Sequence, residues 1–191
     1  MVKKGLLVVI SAPSGGGKTT VIRKVLESGN GNYQYSISAT TRTQRTNERN
    51  GHDYLFITLE EFNQKRQSGE FVEWAEVHDN YYATPKAQLE KWLNEGKIVL
   101  LDLDVDGGLA VKRKYRDSSL LIFIKPPSYQ SLVQRLQNRK TENQDQINKR
   151  LERFPKEMEK SKYYDHCIVN EDLNTTVNQI IKIIESHNNK V

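Results

Sequence analysis

The hydrophobic residues of this chain fall into short continuous runs that are separated by longer stretches of mixed character. The runs predict strands at Leu6–Ile10, Ile98–Asp102, Leu120–Ile124 and His166–Val169. Continuous apolar runs of this length are typical of strands buried on both faces of a parallel sheet.

The stretches between these runs have the period of helices. Predicted helices cover Thr19–Ser28, Lys86–Asn94, Leu109–Tyr115, Tyr129–Asn138, Gln144–Lys162 and Leu173–Ser186. In the last of these, the apolar residues from Leu173 to Ile184 share one face, which suits a helix that covers a sheet. Strands that alternate with helices predict an α/β fold with a central parallel sheet and three layers.

Two regions break this alternation, and each predicts a lobe added to the core. Tyr35–Thr84 has short alternating runs around a helix near Glu60–Ser68, which predicts a small mixed or antiparallel insert. Arg135–Lys162 is charged and weakly apolar, which predicts a mobile helical lid. The predicted division is a core of residues 1–34, 86–125 and 163–191, an inserted lobe of residues 35–85 and a lid of residues 126–162.

Composition narrows the class of protein. The 191 residues, 36% hydrophobic and 28% charged, fit one globular core with small lobes. The 29 Lys and Arg exceed the 24 Asp and Glu, and the formal net charge of +5 favours an anionic partner, a nucleotide or a nucleic acid. The single cysteine, Cys167, excludes an internal disulfide and favours a reducing compartment, so we expect a cytoplasmic protein. No run approaches the ~20 apolar residues that span a bilayer.

A glycine-rich turn joins the first predicted strand to the first predicted helix. It reads Ala12-Pro-Ser-Gly-Gly-Gly-Lys-Thr19 and matches the P-loop pattern G-x-x-x-x-G-K-[ST] except at Ala12. Its glycines let backbone N–H groups surround phosphate oxygens at the start of a helix. Lys18 would neutralise the phosphates, and the Thr19 hydroxyl would bind Mg²⁺. The motif leaves ATPases, GTPases and kinases open.

Two further segments carry candidate chemistry. Arg42 and Arg45 lie three residues apart with Tyr54 nearby, which suits a phosphate monoester, although an exposed basic loop has the same composition. In Phe71-Val-Glu-Trp-Ala-Glu-Val77, alternation groups Glu73 with Phe71, Ala75 and Val77 and puts Glu76 on the opposite face. Each face carries one carboxylate, so periodicity does not identify the functional one.

Six motifs follow one another along nearly the whole chain. They read Ser-Ala-Pro-Ser-Gly-Gly-Gly-Lys-Thr-Thr, Ser-x-Ser-x-Thr-Thr-Arg-x-x-Arg, Asn-Gly-x-Asp-Tyr-x-Phe, Glu-Phe-Val-Glu-Trp-Ala, Asn-Tyr-Tyr-Ala-Thr and Ile-Val-Asn-Glu-Asp-Leu. The set resembles the guanylate kinases, P-loop transferases of purine nucleotide metabolism that convert GMP and ATP into GDP and ADP. The resemblance implies ATP, with Mg²⁺, as donor and GMP or dGMP as acceptor.

The resemblance also implies a role for individual residues. At the GMP site it places Ser38, Arg42, Arg45, Glu48, Tyr54, Glu73, Tyr82, Thr84, Asp102 and Asp104. At the ATP site it places Ser14, Gly15, Gly16, Gly17, Lys18, Thr19, Thr20, Arg135, Arg139 and Asn170. The implied catalytic residues are Lys18, Arg42, Arg135, Arg139 and Arg150, and the implied metal ligands are Thr19 and, through water, Asp102. Separate roles for Asp102 and Asp104 are left open.

The chain departs from the family pattern at a few positions, and other functions compete. Ala12, Asn47 and Ala83 replace usual glycines, and Asp106 replaces a common glutamine and adds negative charge near the acceptor. One alternative is a catalytically inactive interaction module, which the intact Gly-Lys-Thr argues against. A P-loop kinase for another phosphorylated acceptor is a second alternative, and Ser38, Glu73 and Thr84 together favour guanine over it. An RNA-binding protein is a third, but the aromatic residues do not interleave with the basic ones as a stacking platform requires, so we expect no nucleic-acid partner. The oligomeric state, monomer or homodimer, is open.

Overall fold

The structure is a computed structural model that describes residues 4–29, 31–77, 79–138 and 144–188. Its strands are β1 (Leu6–Ser11), β2 (Tyr33–Ser36), β3 (Ala39–Thr40), β4 (Leu55–Phe56), β5 (Phe71–Val77), β6 (Asn80–Pro85), β7 (Ile98–Asp102), β8 (Ser119–Lys125) and β9 (His166–Val169). Its α-helices are α1 (Lys18–Ser28), α2 (Leu59–Gln67), α3 (Lys86–Asn94), α4 (Val105–Tyr115), α5 (Tyr129–Gln137), α6 (Gln144–Lys160) and α7 (Leu173–Asn188), with short 3₁₀ turns at Arg116–Ser118 and Ser161–Tyr163.

A five-stranded parallel sheet in the order β2-β7-β1-β8-β9 forms the centre of the molecule. Its two faces pack on different helices because successive side chains of β1 point to opposite sides. Val8 packs in a cluster with Val25 of α1 and Ile180 of α7, and Val9 packs in another with Val111 of α4. The predicted three-layer α/β fold is therefore confirmed.

A second, mixed sheet in the order β4-β3-β6-β5 forms the inserted lobe. Strands β3 and β4 are parallel, whereas β6 pairs antiparallel with both β3 and β5. Phe62 of α2 is fully buried against this sheet and stacks on Phe71, with 5.3 Å between ring centroids. A capping box between Thr58 and Glu61 fixes the start of α2.

Helices α5 and α6 lie in the predicted lid, and they share a small apolar cluster. Leu132, Leu136 and Ile147 are buried together, with Leu151 and Phe154 packed against them. This cluster packs the two helices against each other, and it thereby fixes the helix that carries the charged residues of α6.

The structure differs from the sequence predictions at β2 and α4. Strand β2 continues the central sheet through Ser36, beyond the predicted lobe boundary at residue 34, and its half-buried Tyr-Gln-Tyr sequence lacks a continuous apolar run. Helix α4 starts at Val105 rather than Leu109 because Asp104 caps it, accepting from the Gly107 N–H at 2.8 Å. The first turn of α4 was not predicted because Gly107 and Gly108 have a low helix propensity.

Candidate active site

A large cavity of about 910 Å³ lies between the glycine-rich turn, the inserted lobe and the predicted lid. Sixteen of the residues implied by the family resemblance line it: Ser14, Gly15, Gly16, Gly17, Lys18, Thr19, Ser38, Arg42, Arg45, Glu48, Tyr54, Glu73, Tyr82, Asp102, Asp104 and Arg150. Thr20, Thr84, Arg135 and Asn170 do not line it, and Arg139 lies outside the described residues. Sequence positions that are far apart thus meet around one space.

The glycine-rich turn has the backbone that its sequence predicts. Gly15 and Gly17 have φ angles of 88° and 91°, in the left-handed region that favours glycine. Ala12 is accommodated without positive φ, since Asp79 is the one non-glycine residue with positive φ in the described part of the chain. A Cβ atom on Gly16 would come within 2.9 Å of both the Ala12 Cβ and the Pro13 carbonyl oxygen, so the turn requires glycine at 16.

Arg135 and Asn170 hold the turn from outside the cavity. Asn170 Nδ2 donates to the Gly16 carbonyl at 3.1 Å, and Arg135 Nη2 donates to the Asn170 carbonyl at 3.0 Å. A Cβ atom on Gly17 would lie 2.7 Å from Asn170 Nδ2. Both side chains contact loop or strand-end backbone in this arrangement, and their implied contact with ATP stays a prediction.

Lys18 and Asp102 form an ion pair at the floor of the cavity. Lys18 Nζ lies 2.5 Å from Asp102 Oδ1 and also donates to the Leu103 carbonyl at 2.9 Å. Lys18 begins α1 and Asp102 ends β7, and β7 pairs with β1 in the sheet. The parallel sheet therefore brings the loop lysine and the strand-end carboxylates to the same edge, where such folds bind their ligands.

On the side of the cavity formed by the inserted lobe, the guanidinium of Arg42 is held in place by neighbouring side chains. Arg42 Nη2 donates to Glu48 Oε1 at 2.7 Å, and Glu48 Oε2 accepts from the Arg45 backbone N–H at 2.9 Å. The hydrogen bond from Arg42 lowers the pKa of Glu48 below its ordinary value. Arg42 Cζ lies 5.4 Å from the centre of the Tyr54 ring, and the Tyr82 ring meets Tyr54 edge-on at 6.0 Å. Glu48 and the aromatic rings thus hold the Arg42 guanidinium at the cavity wall.

Of the two carboxylates on β5, Glu73 is the one that lines the cavity. Its Oε1 accepts from the Thr84 hydroxyl at 2.6 Å, and burial, with a smaller contribution from Asp104, raises its pKa to about 7. Ala75 and Val77 also line the cavity, as alternation predicts, but the grouping of Phe71 with Glu73 was wrong. The pairing register shifts between Phe71 and Trp74, so both of these side chains contact Phe62 on the other face.

Comparison with known proteins agrees with this geometry. A family model described as guanylate kinase matches residues 4–187. A guanylate kinase from Porphyromonas gingivalis is 45% identical over 93% of this chain and 95% of its own length, and one from Thermotoga maritima is 43% identical over 98% and 90%. A crystal structure of guanylate kinase from Anaplasma phagocytophilum, 33% identical, superposes with a TM-score of 0.80 over 97% of this chain and 87% of that one.

The chain belongs to the guanylate kinase family. It is an enzyme, and its reaction is the phosphorylation of GMP by ATP. An uncharacterised protein from Eubacterium ventriosum, 16% identical with a TM-score of 0.53, shares the fold alone. Across the described ranges, no helix is both long enough and apolar enough to cross a bilayer.

The guanylate kinase cavity contains lid residues that the sequence did not reveal. Lys149, Arg153 and Glu157 of α6 line it beside Arg150, whose Nη1 donates to the Ser14 hydroxyl. Arg153 Nη2 lies 4.0 Å from Asp104 Oδ2. The spacing of 150, 153 and 157 places these residues on one helical face, a signal that the overall charge of α6 obscured.

A buried polar network supports the strand ends of this guanylate kinase. The Tyr164 hydroxyl donates to Ser11 Oγ at 2.8 Å, and Ser11 Oγ donates to the Leu103 carbonyl at 2.9 Å. Gly108 leaves the space for this hydroxyl, since a Cβ atom there would lie 2.2 Å from it. The network fixes the backbone between Asp102 and Asp104, and motif spacing gave no signal for Tyr164.

The cavity residues fit a magnesium ion in the chemistry of their donors. The Thr19 hydroxyl and the carboxylates of Asp102 and Asp104 are hard oxygen donors on one wall. The described residues contain no group of three or more His, Cys, Asp or Glu side chains that could hold a metal by themselves. This suits Mg²⁺, which is usually bound by one or two protein oxygens together with substrate phosphates and water.

Proposed function

We propose that the P-loop wall of the cavity binds ATP with Mg²⁺, that the lobe wall binds GMP or dGMP, and that the γ-phosphoryl group passes directly between them. One observation carries this proposal. A single cavity is lined by Lys18 and the loop on one side and by Arg42, Arg45 and Tyr82 on the other. The acceptor phosphate and the donor phosphates would therefore meet inside one cavity.

The cations around the cavity would do most of the catalytic work. The acceptor phosphate is already an anion at neutral pH, so no general base is required and the enzyme must position two anions. Two unit charges 4 Å apart repel by about 4 kcal/mol at an effective dielectric of 20. Lys18, Arg42 and Arg150 stand where they would offset that repulsion. In this proposal Arg45, Tyr54 and Tyr82 grip the acceptor phosphate.

Glu73 would select guanine. Guanine presents N1–H and an N2 amino group side by side, and a charged carboxylate accepts from both. Adenine offers an acceptor at N1, which would leave the buried charge unmatched at a cost of about 1–3 kcal/mol or more. Thr84 already donates to Glu73 Oε1, so it would act by orienting the carboxylate, and Ser38 lines the same pocket.

The donor side is divided between direct and supporting residues in this proposal. Thr19 and, through water, Asp102 would hold Mg²⁺, which when bound supplies positive charge to the phosphates. Arg135 and Asn170 would support the loop through the Gly16 carbonyl.

Contacts of Thr20 and Arg139 with ATP remain predictions. So do the lobe and lid boundaries, the oligomeric state and the cytoplasmic location.

A nucleotide panel tests the assignment of the acceptor. ATP and Mg²⁺ are supplied with GMP, dGMP, AMP, CMP or UMP, and ADP release is followed. We expect GMP and dGMP to exceed the other nucleotides in kcat/KM by a factor on the order of 10² or more. Equal use of AMP would overturn the role of Glu73.

Matched variants test the two walls separately. Lys18→Ala should lower kcat by about 10²–10³-fold in a protein that still folds, whereas Lys24→Ala, on the same helix but exposed, should leave turnover intact. Arg45→Ala should raise the KM for GMP about tenfold or more, and Arg49→Ala, also exposed, should not. Normal GMP handling in Arg45→Ala would contradict the proposed phosphate grip.

A further inference from the structure

The lid helix α6 turns one carboxylate toward the phosphate-binding loop. Glu157 lines the large cavity and also a smaller one of about 130 Å³ between α6 and the start of α4. Glu159, two residues further along α6, points away and has a side chain that is 73% exposed. Of these two acids, only Glu157 therefore lies on the face of α6 that lines the cavity.

The groups around Glu157 are those that a phosphate requires. Burial raises its pKa above the ordinary value and Asp104 adds to this, while Arg153, Lys18 and the backbone N–H of Ser14 act in the opposite direction. A loop N–H, an ammonium and a guanidinium are the donors that bind phosphate oxygens in P-loop proteins. A carboxylate oxygen uses the same donors.

Glu157 is poorly satisfied where it lies. Its Oε2 atom is buried and has no hydrogen-bond partner among the described residues. A buried charged oxygen without a partner costs folding free energy, so the stability of the fold does not explain a carboxylate here. A role that depends on leaving this position does explain it.

The contact of Glu157 is tied to the position of the lid. On the same helical face, Arg150 donates to the Ser14 hydroxyl, and Arg153 approaches Asp104. These two contacts join α6 to the loop and to the start of α4, and Glu157 lines the cavity from the same helical face. A triphosphate on the loop would place like charges against Glu157, and either the carboxylate or the phosphate must move.

We propose that Glu157 stands in for an ATP phosphate oxygen at the loop when ATP is absent, and that ATP must displace it in order to bind. The carboxylate thereby lowers the affinity for ATP and couples donor binding to movement of α6. The inference rests on the proposed binding of ATP phosphates at the loop.

Calorimetry with ATP and Mg²⁺, in the absence of GMP, tests the proposal. Glu157→Gln keeps the shape and removes the charge, and we expect its Kd for ATP to fall about tenfold, equivalent to ~1.4 kcal/mol. Glu159→Gln is the matched control and should bind ATP as the unmodified chain does. The KM for ATP should fall in Glu157→Gln with no change in the KM for GMP, and its Tm should be equal or higher.

Each result decides one question. An unchanged or higher Kd in Glu157→Gln would overturn the displacement model, and a higher Kd would make Glu157 a residue that supports ATP. Lys18→Ala is measured alongside. If it binds ATP normally, the proposed role of the loop is wrong, whereas a loss of ATP binding there without tightening in Glu157→Gln refutes only the present inference.

Discussion

The carboxylate of Glu73 lies against Gly107, so that a Cβ atom on residue 107 would come within 2.9 Å of Glu73 Oε2. Glu73 belongs to the inserted lobe and Gly107 to the first turn of α4 in the core. The same glycine donates its N–H to Asp104 Oδ1 at 2.8 Å. The start of α4 is thus one wall of the pocket that we assign to the base.

Gly107→Ala is expected to damage the use of GMP without damaging the fold. The φ angle of Gly107 is not positive, and alanine is favoured over glycine in a helix by about 0.5–1 kcal/mol. The added methyl would displace the Glu73 carboxylate, and we expect kcat/KM for GMP to fall about 10–100-fold, since small misplacements are costly. Calorimetric binding of ATP should be unchanged. An unaltered KM for GMP would show that this contact does not position Glu73.

The use of GMP is expected to depend on pH through Glu73. Burial raises the pKa of this group to about 7, so the charged acceptor of N1–H is lost as pH falls through 7. We expect kcat/KM for GMP to decline below pH 7 by up to about tenfold per unit, because this parameter reports the free enzyme. Glu73→Gln has no carboxylate to protonate at this position, so its kcat/KM divided by that of the unmodified chain should rise as pH falls through 7.

The matched control for this profile is Glu76→Gln, on the exposed face of β5. Titration of the GMP phosphate is common to all three proteins and cancels in the ratios. Parallel profiles for the unmodified chain and Glu73→Gln would contradict the assignment.

Stability should respond to pH in the opposite direction. The pKa of Glu73 is higher in the folded state than the ordinary value of 4.5, so the folded protein binds more protons. The contribution of Glu73 to the free energy of unfolding is therefore most favourable below pH 4.5 and is lost as pH rises through 7. Between pH 5 and pH 8, Glu73→Gln should gain on the order of 1–3 kcal/mol relative to the unmodified chain in urea unfolding. A pH-independent difference would rule this out.

Tyr164→Phe should destabilise the protein through its buried network. The variant loses the hydrogen bond to Ser11, and such a bond contributes about 1 kcal/mol, which lowers the Tm of a domain of this size by roughly 2–4 °C. Tyr163→Phe is the control, since Tyr163 is 62% exposed. Equal melting temperatures for the two variants would mean that the network adds no stability.

Asp106 is expected to have little effect on the acceptor. Its sequence position suggested added negative charge near the acceptor, but its carboxylate pairs with Lys160 of α6 and it does not line the large cavity. Asp106→Gln should keep the KM for GMP within about twofold, because an exposed ion pair contributes little. A severalfold fall in that KM would show that the charge does reach the acceptor.

Much of the core and one wall of the site could be predicted from the sequence because their signals are local. Leu6–Ile10 is a continuous apolar run, and Gly17-Lys18-Thr19 keeps a fixed spacing. The two faces of β5 could not be assigned in full from the sequence, because the pairing register shifts by one residue between Phe71 and Trp74. Strand β2 was missed because an edge strand with half-buried tyrosines carries no apolar run.

The lid contributions were harder to predict for another reason. The charges of α6 have the same composition whether they face water or a ligand cavity. Arg153 and Glu157 become distinct from Glu159 only when the position of the P-loop is known. The role of Tyr164 likewise depends on Gly108, which is more than fifty residues away in the chain.

Consecutive residues of β5 belong to different parts of the molecule. Phe71 is buried with the lobe, Val72 packs against the central core, and Glu73 enters the pocket. To make this protein accept a different nucleotide, the contacts between the central core and the inserted lobe will therefore have to be redesigned together with Glu73. If the inserted lobe is replaced by that of a homologue, we expect the chimaera to function only when the homologue's helix corresponding to α4 is transferred as well.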